Sequence, residues 1–346
     1  MFEHPDFDNH EGVHVFSDAE SGLKAIISVH NTTRGPAAGG TRLWSYSNPA
    51  DAMTDALRLS KAMSYKNAMA GLDLGGGKGV ILRPDTLMDR EKLFAAYGRA
   101  VESVGGAYIT AEDVGVSPED MAVIKTQTDY VAGLDTGPAA SGDPSPVTAE
   151  GVFRGIKVAV RHKFQQDSLK GLRVAVQGLG HVGYSLCQHL HQAGCQLVVT
   201  DINRMVLEKA ESELGAKVVA PQDIHLQDVD IYAPCALGGA VSTSSLPEIR
   251  ASIIAGAANN QLATPDMGEA CRQRGILYAP DYVINAGGII NVAAEVSGVY
   301  DPEWIKGKLE GLEKTLEIIF TESSEQDTST TVIADSMAGV RLGLTD

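Results

Sequence analysis

No segment of this chain approaches the roughly 20 consecutive apolar residues of a membrane span. Its first residues, MFEHPDFDNHEG, are acidic and have no apolar core, so neither an anchor nor a secretory signal is expected. Positive charge is scarce: 28 Lys and Arg against 44 Asp and Glu give a net charge of −16, which argues against nucleic acid or an anionic membrane as partner. Cysteine is scarce too. Cys187, Cys195, Cys235 and Cys271 form no C-x-x-C pair and read as small buried thiols of a reducing, cytoplasmic protein. Cys235 has no histidine obviously placed to activate it, which speaks against a nucleophile. His189 and His191, two apart on an expected helix, face different sides, and no metal site is expected. Internal repeats and low-complexity tracts are absent. What remains, 346 residues with 44% hydrophobic and 21% charged content, suits a soluble globular chain of two domains, each with its own core.

Residues Leu172–Gly183, LRVAVQGLGHVG, carry the sharpest motif. An apolar run leads into Gly178-x-Gly180-x-x-Gly183, a helical pattern follows, and a second apolar run, Leu197–Thr200, ends at Asp201. Gly178 permits the tight turn, Gly180 lets the backbone approach a pyrophosphate, and Gly183 lets helix and strand pack closely. The N-terminus of that helix, expected over Tyr184–Ala193, then faces the phosphates, with His181 and Val182 just ahead of it among the cofactor-binding residues. Asp201 would accept hydrogen bonds from the adenosine ribose, which favours NAD; Arg204 nearby leaves NADP as the minority reading.

Upstream, Asn67–Val80 reads NAMAGLDLGGGKGV behind Lys66. It lacks the G-x-x-x-x-G-K-[ST] spacing of a phosphate loop, because Gly79 stands where Ser or Thr should be. Read as a buried glycine-lined loop, the stretch places Lys66 and Lys78 where each needs a partner. A charged lysine clamps a carboxylate; a neutral one is a general base. Read as a surface turn, it exposes two ordinary lysines.

The first ~135 residues show a mixed α/β pattern. Leu23–Val29 reads as a strand, Gly35–Arg42 as a glycine-rich turn, and Asn48-Pro49 as a helix start. Leu93–Val104 is an amphipathic helix, and a short strand, Ala107–Thr110, delivers Asp113 at its exit. The Gly/Pro/Ser-rich stretch 134–148 reads as an interdomain connection, with Thr148 opening the next helix. Strand and helix then alternate through Ile276–Tyr278 in a doubly wound pattern. Helices are expected over Trp304–Phe320 and Thr331–Leu342. The expected fold is α/β, with a substrate-binding and oligomerisation domain at 1–135 plus a returning helix at about 325–346. A Rossmann domain occupies 145–322, with a cleft between the two.

GPAAGGTR, LSKAMSYKNAMAGLDLGGGKGV, YITAEDVG, AANNQ and VINAGGIIN run along nearly the whole chain in this order. Together they resemble the Glu/Leu/Phe/Val amino-acid dehydrogenase family, most nearly its leucine dehydrogenases. The resemblance implies NAD-dependent, reversible conversion of an L-amino acid to a 2-oxo acid and ammonia by a homo-oligomer, a dimer or higher up to an octamer. It implies that Lys66 binds the substrate carboxylate, that Lys78 activates water, and that Asp113 exchanges protons with the amino group. Asn259 would orient the substrate, and the Gly39 and Gly40 backbone would border its carboxylate. Ser145 and Thr148 would lie near the nicotinamide and Asn285 at its carboxamide side, with Ala236 also among the cofactor-binding residues. In glutamate-specific members a lysine grips the distal carboxylate; here that position is Ala38, and a partnering serine position is Val292. A side-chain pocket of Ala38, Ala111, Ile289 and Val292 has no charge for a carboxylate, which disfavours glutamate. Leucine enzymes usually carry Leu at the Ala38 position, so this pocket is wider. Branched-chain substrates are expected, with phenylalanine as the alternative. A non-catalytic NAD-binding protein is the alternative from another class, and the retained Lys78 and Asp113 argue against it.

Overall fold

The computed structural model describes residues 1–84, 89–134, 142–298 and 300–344. Part of the expected connection, 135–141, lies outside the described residues. The chain divides into two units, one of Met1–Asp143, Asn291–Trp304 and Ala338–Asp346, the other of Pro144–Ile290 and Ile305–Met337. This differs from the expected domain bounds in two places. Asn291–Trp304 belongs with the first unit, where Glu295 accepts hydrogen bonds from Gly133 and Leu134 N–H. The start of the last helix stays with the second, where the Thr330 hydroxyl donates to Tyr278 O.

The first unit begins with β1 (Gly12–Asp18), β2 (Leu23–Asn31) and β3 (Ala37–Trp44). It continues through α1 (Pro49–Met69), β4 (Gly75–Leu82), α2 (Arg90–Ser103), β5 (Tyr108–Glu112) and α3 (Pro118–Lys125). The sheet order is β1-β2-β4-β3-β5. β3 runs parallel to β4 and β5, while β2 is antiparallel to β4 and β1. The Asn48 side chain caps α1 by accepting from Ala50 and Asp51 N–H, ahead of Pro49. α1 buries a face of small residues, among them Ala52, Ala56, Ser60 and Ser64, so the helix lies close on β4. The opposite sheet face meets Leu93, Phe94 and Tyr97 of α2 and Met121 and Ile124 of α3.

Two expectations are corrected here. The glycine-rich "loop" is β4, the central strand, and the "turn" at Gly35–Arg42 is mostly β3. Glycine is a poor strand former, but it is admitted where another backbone comes close. A Cβ on Gly39 would stand 1.9 Å from Gly77 O, and one on Gly76 2.0 Å from Ser64 N. β1, half-exposed at one sheet edge, was not anticipated.

The second unit opens with α4 (Ser145–Phe164), β6 (Arg173–Gln177), α5 (His181–Gln192), β7 (Gln196–Thr200), α6 (Arg204–Leu214) and β8 (Lys217–Val218). Then follow β9 (Ile231–Pro234), β10 (Ile253–Ile254), α7 (Met267–Gln273), β11 (Leu277–Tyr278) and α8 (Asp281–Ile284). α9 (Gly287–Val296), α10 (Pro302–Glu325) and α11 (Thr330–Arg341) complete the chain. The sheet is wholly parallel in the order β11-β10-β9-β6-β7-β8. The chain winds outward from β6 to β8, then returns past β6 to β9. This is the doubly wound order, and the switch point between β6 and β9 is where such sheets bind dinucleotides. Thr148 lies one turn inside α4, which starts at Ser145, so it does not open that helix.

Candidate active site

In the first unit, β4 alternates its side chains across the sheet. Gly77 and Gly79 face the α2 side, where a Cβ would meet the Tyr108 ring at 2.6 Å and the Tyr97 hydroxyl at 2.0 Å. Gly76, Lys78 and Val80 take the other parity, toward α1. Lys78 is buried, and its Nζ donates to Asp113 Oδ2 at 2.5 Å. Asp113 stands just past β5, beside Gly40, where an added Cβ would come within 2.8 Å of its own Cβ. The tyrosines form a hydroxyl floor. Thr41 Oγ1 lies 2.7 Å from Tyr97 OH and 2.5 Å from Thr110 Oγ1, and Tyr108 OH donates to Gly39 O at 2.7 Å.

Burial dominates the charge state of Lys78 and pulls its amine below the ordinary range, although Asp113 opposes this. For Asp113, burial pushes the carboxyl up, but Lys78 and Arg42 together outweigh it and hold it below the ordinary value. The two directions are compatible because the anion has two cations while Lys78 has only a share of one anion. Arg42 Nε donates to Asp113 Oδ2 at 3.0 Å, and its Nη1 reaches Asp55 Oδ2 at 3.0 Å. Tyr46 OH donates to that same Asp55 oxygen at 2.6 Å. A buried amine drawn toward neutrality beside a fixed carboxylate can move a proton near neutral pH.

Ala38, Ala111, Lys66 and Val292 also belong to the first unit, and Ile289 to the second. Ala38 is buried on β3 in register with Gly76, and Ala111 on β5 pairs with Gly40. Lys66 is in the last turn of α1, with its helix neighbour Asn67 donating to Gly75 O at 2.6 Å. Ile289 and Val292, three apart on α9, share a helix face.

In the second unit, Gly178 has φ +97° and would press a Cβ to 2.8 Å from that of Ala236; Gly183 would drive one to 2.0 Å from Gly178 O. At Gly180 an added Cβ meets nothing within 4 Å, so this face of the turn is open to a ligand. His181 and Val182 begin α5, whose first N–H groups point out of the helix there. Asp201 accepts from Leu179 N–H at 2.5 Å and Asn203 N–H at 2.7 Å, which ties the end of β7 to the glycine turn. Asn285 Nδ2 donates to Asn259 Oδ1 at 2.8 Å and Ala257 O at 3.1 Å, while its buried Oδ1 finds no partner. An orphaned buried acceptor suits an amide N–H of a ligand, as a nicotinamide carboxamide supplies. Thr148 Oγ1 would lie 3.0 Å from a Cβ at Gly288. Burial pushes all four thiols up, so none is poised as a nucleophile.

The structure thus joins Lys78 with Asp113, Asn259 with Asn285, and Gly178 with Ala236. Sequence reasoning missed Arg42, Asp55 and Tyr46. Arg42 ends the GGTR motif, but its carboxylate partners lie 71 and 13 positions away, and no local pattern announces them. Among the described residues there is no group of three or more His, Cys, Asp or Glu placed to hold a metal, and no helix long and apolar enough to cross a membrane.

Two family models match the chain: the Glu/Leu/Phe/Val dehydrogenase dimerisation domain over residues 10–130, and Glutamate/Leucine/Phenylalanine/Valine dehydrogenase over 199–341. A leucine dehydrogenase of Geobacillus stearothermophilus is 49% identical over 342 residues, 99% of this chain and 93% of that protein. An L-tryptophan dehydrogenase of Nostoc punctiforme is 46% identical over 335 residues, 96% and 93% of the two chains. A crystal structure of L-tryptophan dehydrogenase from Nostoc punctiforme superposes with a TM-score of 0.85 at 44% identity, covering 97% of this chain and 96% of that one.

Proposed function

The chain belongs to the Glutamate/Leucine/Phenylalanine/Valine dehydrogenase family, and on that premise we propose that it carries out the reversible, NAD-dependent oxidative deamination of branched-chain L-amino acids. The products are the 2-oxo acid and ammonia. The observation that carries this reading is the buried Lys78 amine, held below its ordinary range and bonded to an ionised Asp113.

A bound nicotinamide dinucleotide supplies the hydride acceptor for substrate Cα. Gly178, Gly180 and Gly183, with His181 and Val182, hold its pyrophosphate, and Ala236 borders the turn. Asn285 Oδ1 would accept from its carboxamide, and Ser145 and Thr148 would hold the nicotinamide end. The fixed Asp201 carboxylate would take the ribose hydroxyls, which favours NAD over NADP.

Lys66 holds the substrate α-carboxylate as a cation beside the Gly39-Gly40 backbone, and Asn259 orients the amino-acid end. Asp113 takes a proton from the substrate ammonium, so that the nitrogen lone pair can drive hydride departure. Neutral Lys78 then removes a proton from water as the oxygen adds to the iminium carbon. Asp113 returns a proton to nitrogen and, again a carboxylate, takes the hydroxyl proton as the C–N bond breaks; ammonia leaves, the 2-oxo acid remains, and the protons on Asp113 and Lys78 pass to ammonia and solvent. Ala38, Ala111 and Val292 of the first unit, like Ile289 of the second, carry no charge that would hold a distal carboxylate, which suits leucine, valine and isoleucine and disfavours glutamate. Ala38 also favours a second reading, preference for a bulky side chain such as that of phenylalanine or tryptophan.

Assay of NADH formation with L-leucine, L-valine, L-isoleucine, L-phenylalanine, L-tryptophan and L-glutamate tests this. Turnover is expected on the branched-chain acids and to fall on the order of 10³-fold in Lys78→Ala. Undiminished turnover in that variant removes Lys78 as the base. An aromatic preference puts Ala38 in control of the pocket, and no turnover on any amino acid overturns the reading.

A further inference from the structure

The family reading assigns Arg42 no task, yet it is one of two cations on the Asp113 carboxylate. We propose that Arg42 is a positioning residue for the reaction: it shares Asp113 with Lys78 and is anchored by Asp55, so that Lys78 is never left as the sole cation of a closed ion pair. This deepens the deamination reading and rests on it.

The geometry is specific. One oxygen, Asp113 Oδ2, accepts from both Lys78 Nζ, at 2.5 Å, and Arg42 Nε, at 3.0 Å. A second edge of the same guanidinium reaches Asp55 at 3.0 Å, and Tyr46 OH holds Asp55 at 2.6 Å. Arg42 therefore cannot swing away without breaking two contacts. A lysine could not replace it, because one ammonium on a flexible stem does not present a rigid fork to two carboxylates. The charged groups around Lys78 are few. β3 supplies Arg42, the segment after β5 supplies Asp113, and α1 supplies Asp55, with Lys66 in its last turn. From β2 the register partner is uncharged Ser28. Removing Arg42 deletes a repelling charge and hands Asp113 wholly to Lys78. Both changes favour the ammonium, which cannot act as a base.

The test is competitive acetylation of Lys78 by acetic anhydride across pH, read by peptide mass spectrometry, in wild type, Arg42→Gln and Arg42→Lys. It runs beside the pH profile of leucine oxidation in the same proteins. In Arg42→Gln the labelling midpoint and the acid limb of kcat should rise together by about one pH unit. KM for leucine should hold, because its carboxylate is bound elsewhere. Arg42→Lys should shift in the same direction by less. An unmoved labelling midpoint in either variant that folds overturns the proposal, and either variant alone suffices if the other does not fold. Labelling needs no turnover, so failure of the wild type to oxidise any amino acid would sink the deamination reading while the midpoint still judges Arg42.

Discussion

Gly180 and Gly183 carry the same letter in one motif, yet a methyl group would meet open space at the first and the Gly178 carbonyl at 2.0 Å at the second. Gly180→Ala should therefore melt near the wild-type temperature and weaken NAD binding by roughly tenfold, about 1.4 kcal/mol, since the methyl intrudes where the pyrophosphate approaches. Gly183→Ala should instead lower the melting temperature, because its obstacle is backbone that cannot rotate aside. Calorimetric titration with NAD beside thermal melting separates the two; a Gly180→Ala protein that binds normally would mean the pyrophosphate does not come close there. Single residues were otherwise unevenly legible. Lys78 and Asp113 stood out because motif context marked them, and the structure places them in contact. Arg42 did not, because nothing in a sequence says which distant carboxylate an arginine reaches.

The elements were legible where periodicity was strong and misread where close packing replaced side chains with hydrogen. α1, α2 and the β6–α5–β7 unit follow their apolar spacing and caps closely. β3 and β4 do not, because seven of the eight glycines from Gly35 to Gly79 lie in or beside strands packed too tightly for a Cβ. Tertiary contact overrides local propensity there. The consequence is a sign contrast between two glycine substitutions. Gly76→Ala places a Cβ 2.0 Å from Ser64 N, pries α1 from β4, and should cost about 3 kcal/mol. Gly307→Ala, on the exposed side of α10 with nothing within 4 Å, should stabilise by about 1 kcal/mol. Differential scanning calorimetry reads both. A Gly76→Ala protein as stable as wild type would mean that the helix does not need its close seat on the strand.

At the scale of the whole molecule, the first unit carries a pH liability that composition alone does not reveal. His30 on β2 is buried with its Nδ1 2.7 Å from Ser64 Oγ, and its ring meets that of His10 edge-on at 4.8 Å. Burial first, and the His10 charge second, pull His30 from 6.5 down to about 4. In the unfolded chain the imidazole returns to its ordinary value and binds its proton earlier. Stability from this group is therefore complete above about 6.5 and is lost progressively as pH falls toward 4, with a full loss of about 3 kcal/mol. Trp44 lies on β3 of this unit and Trp304 at its border on α10, so tryptophan fluorescence follows its unfolding. Urea midpoints by fluorescence should drop between pH 7.5 and pH 5 in the wild type. They should drop much less in His30→Gln, whose amide can keep the Ser64 contact and does not titrate, with His10 left to account for the remainder. Equal drops in the two proteins would place the acid sensitivity elsewhere, among the many carboxylates of this acidic chain.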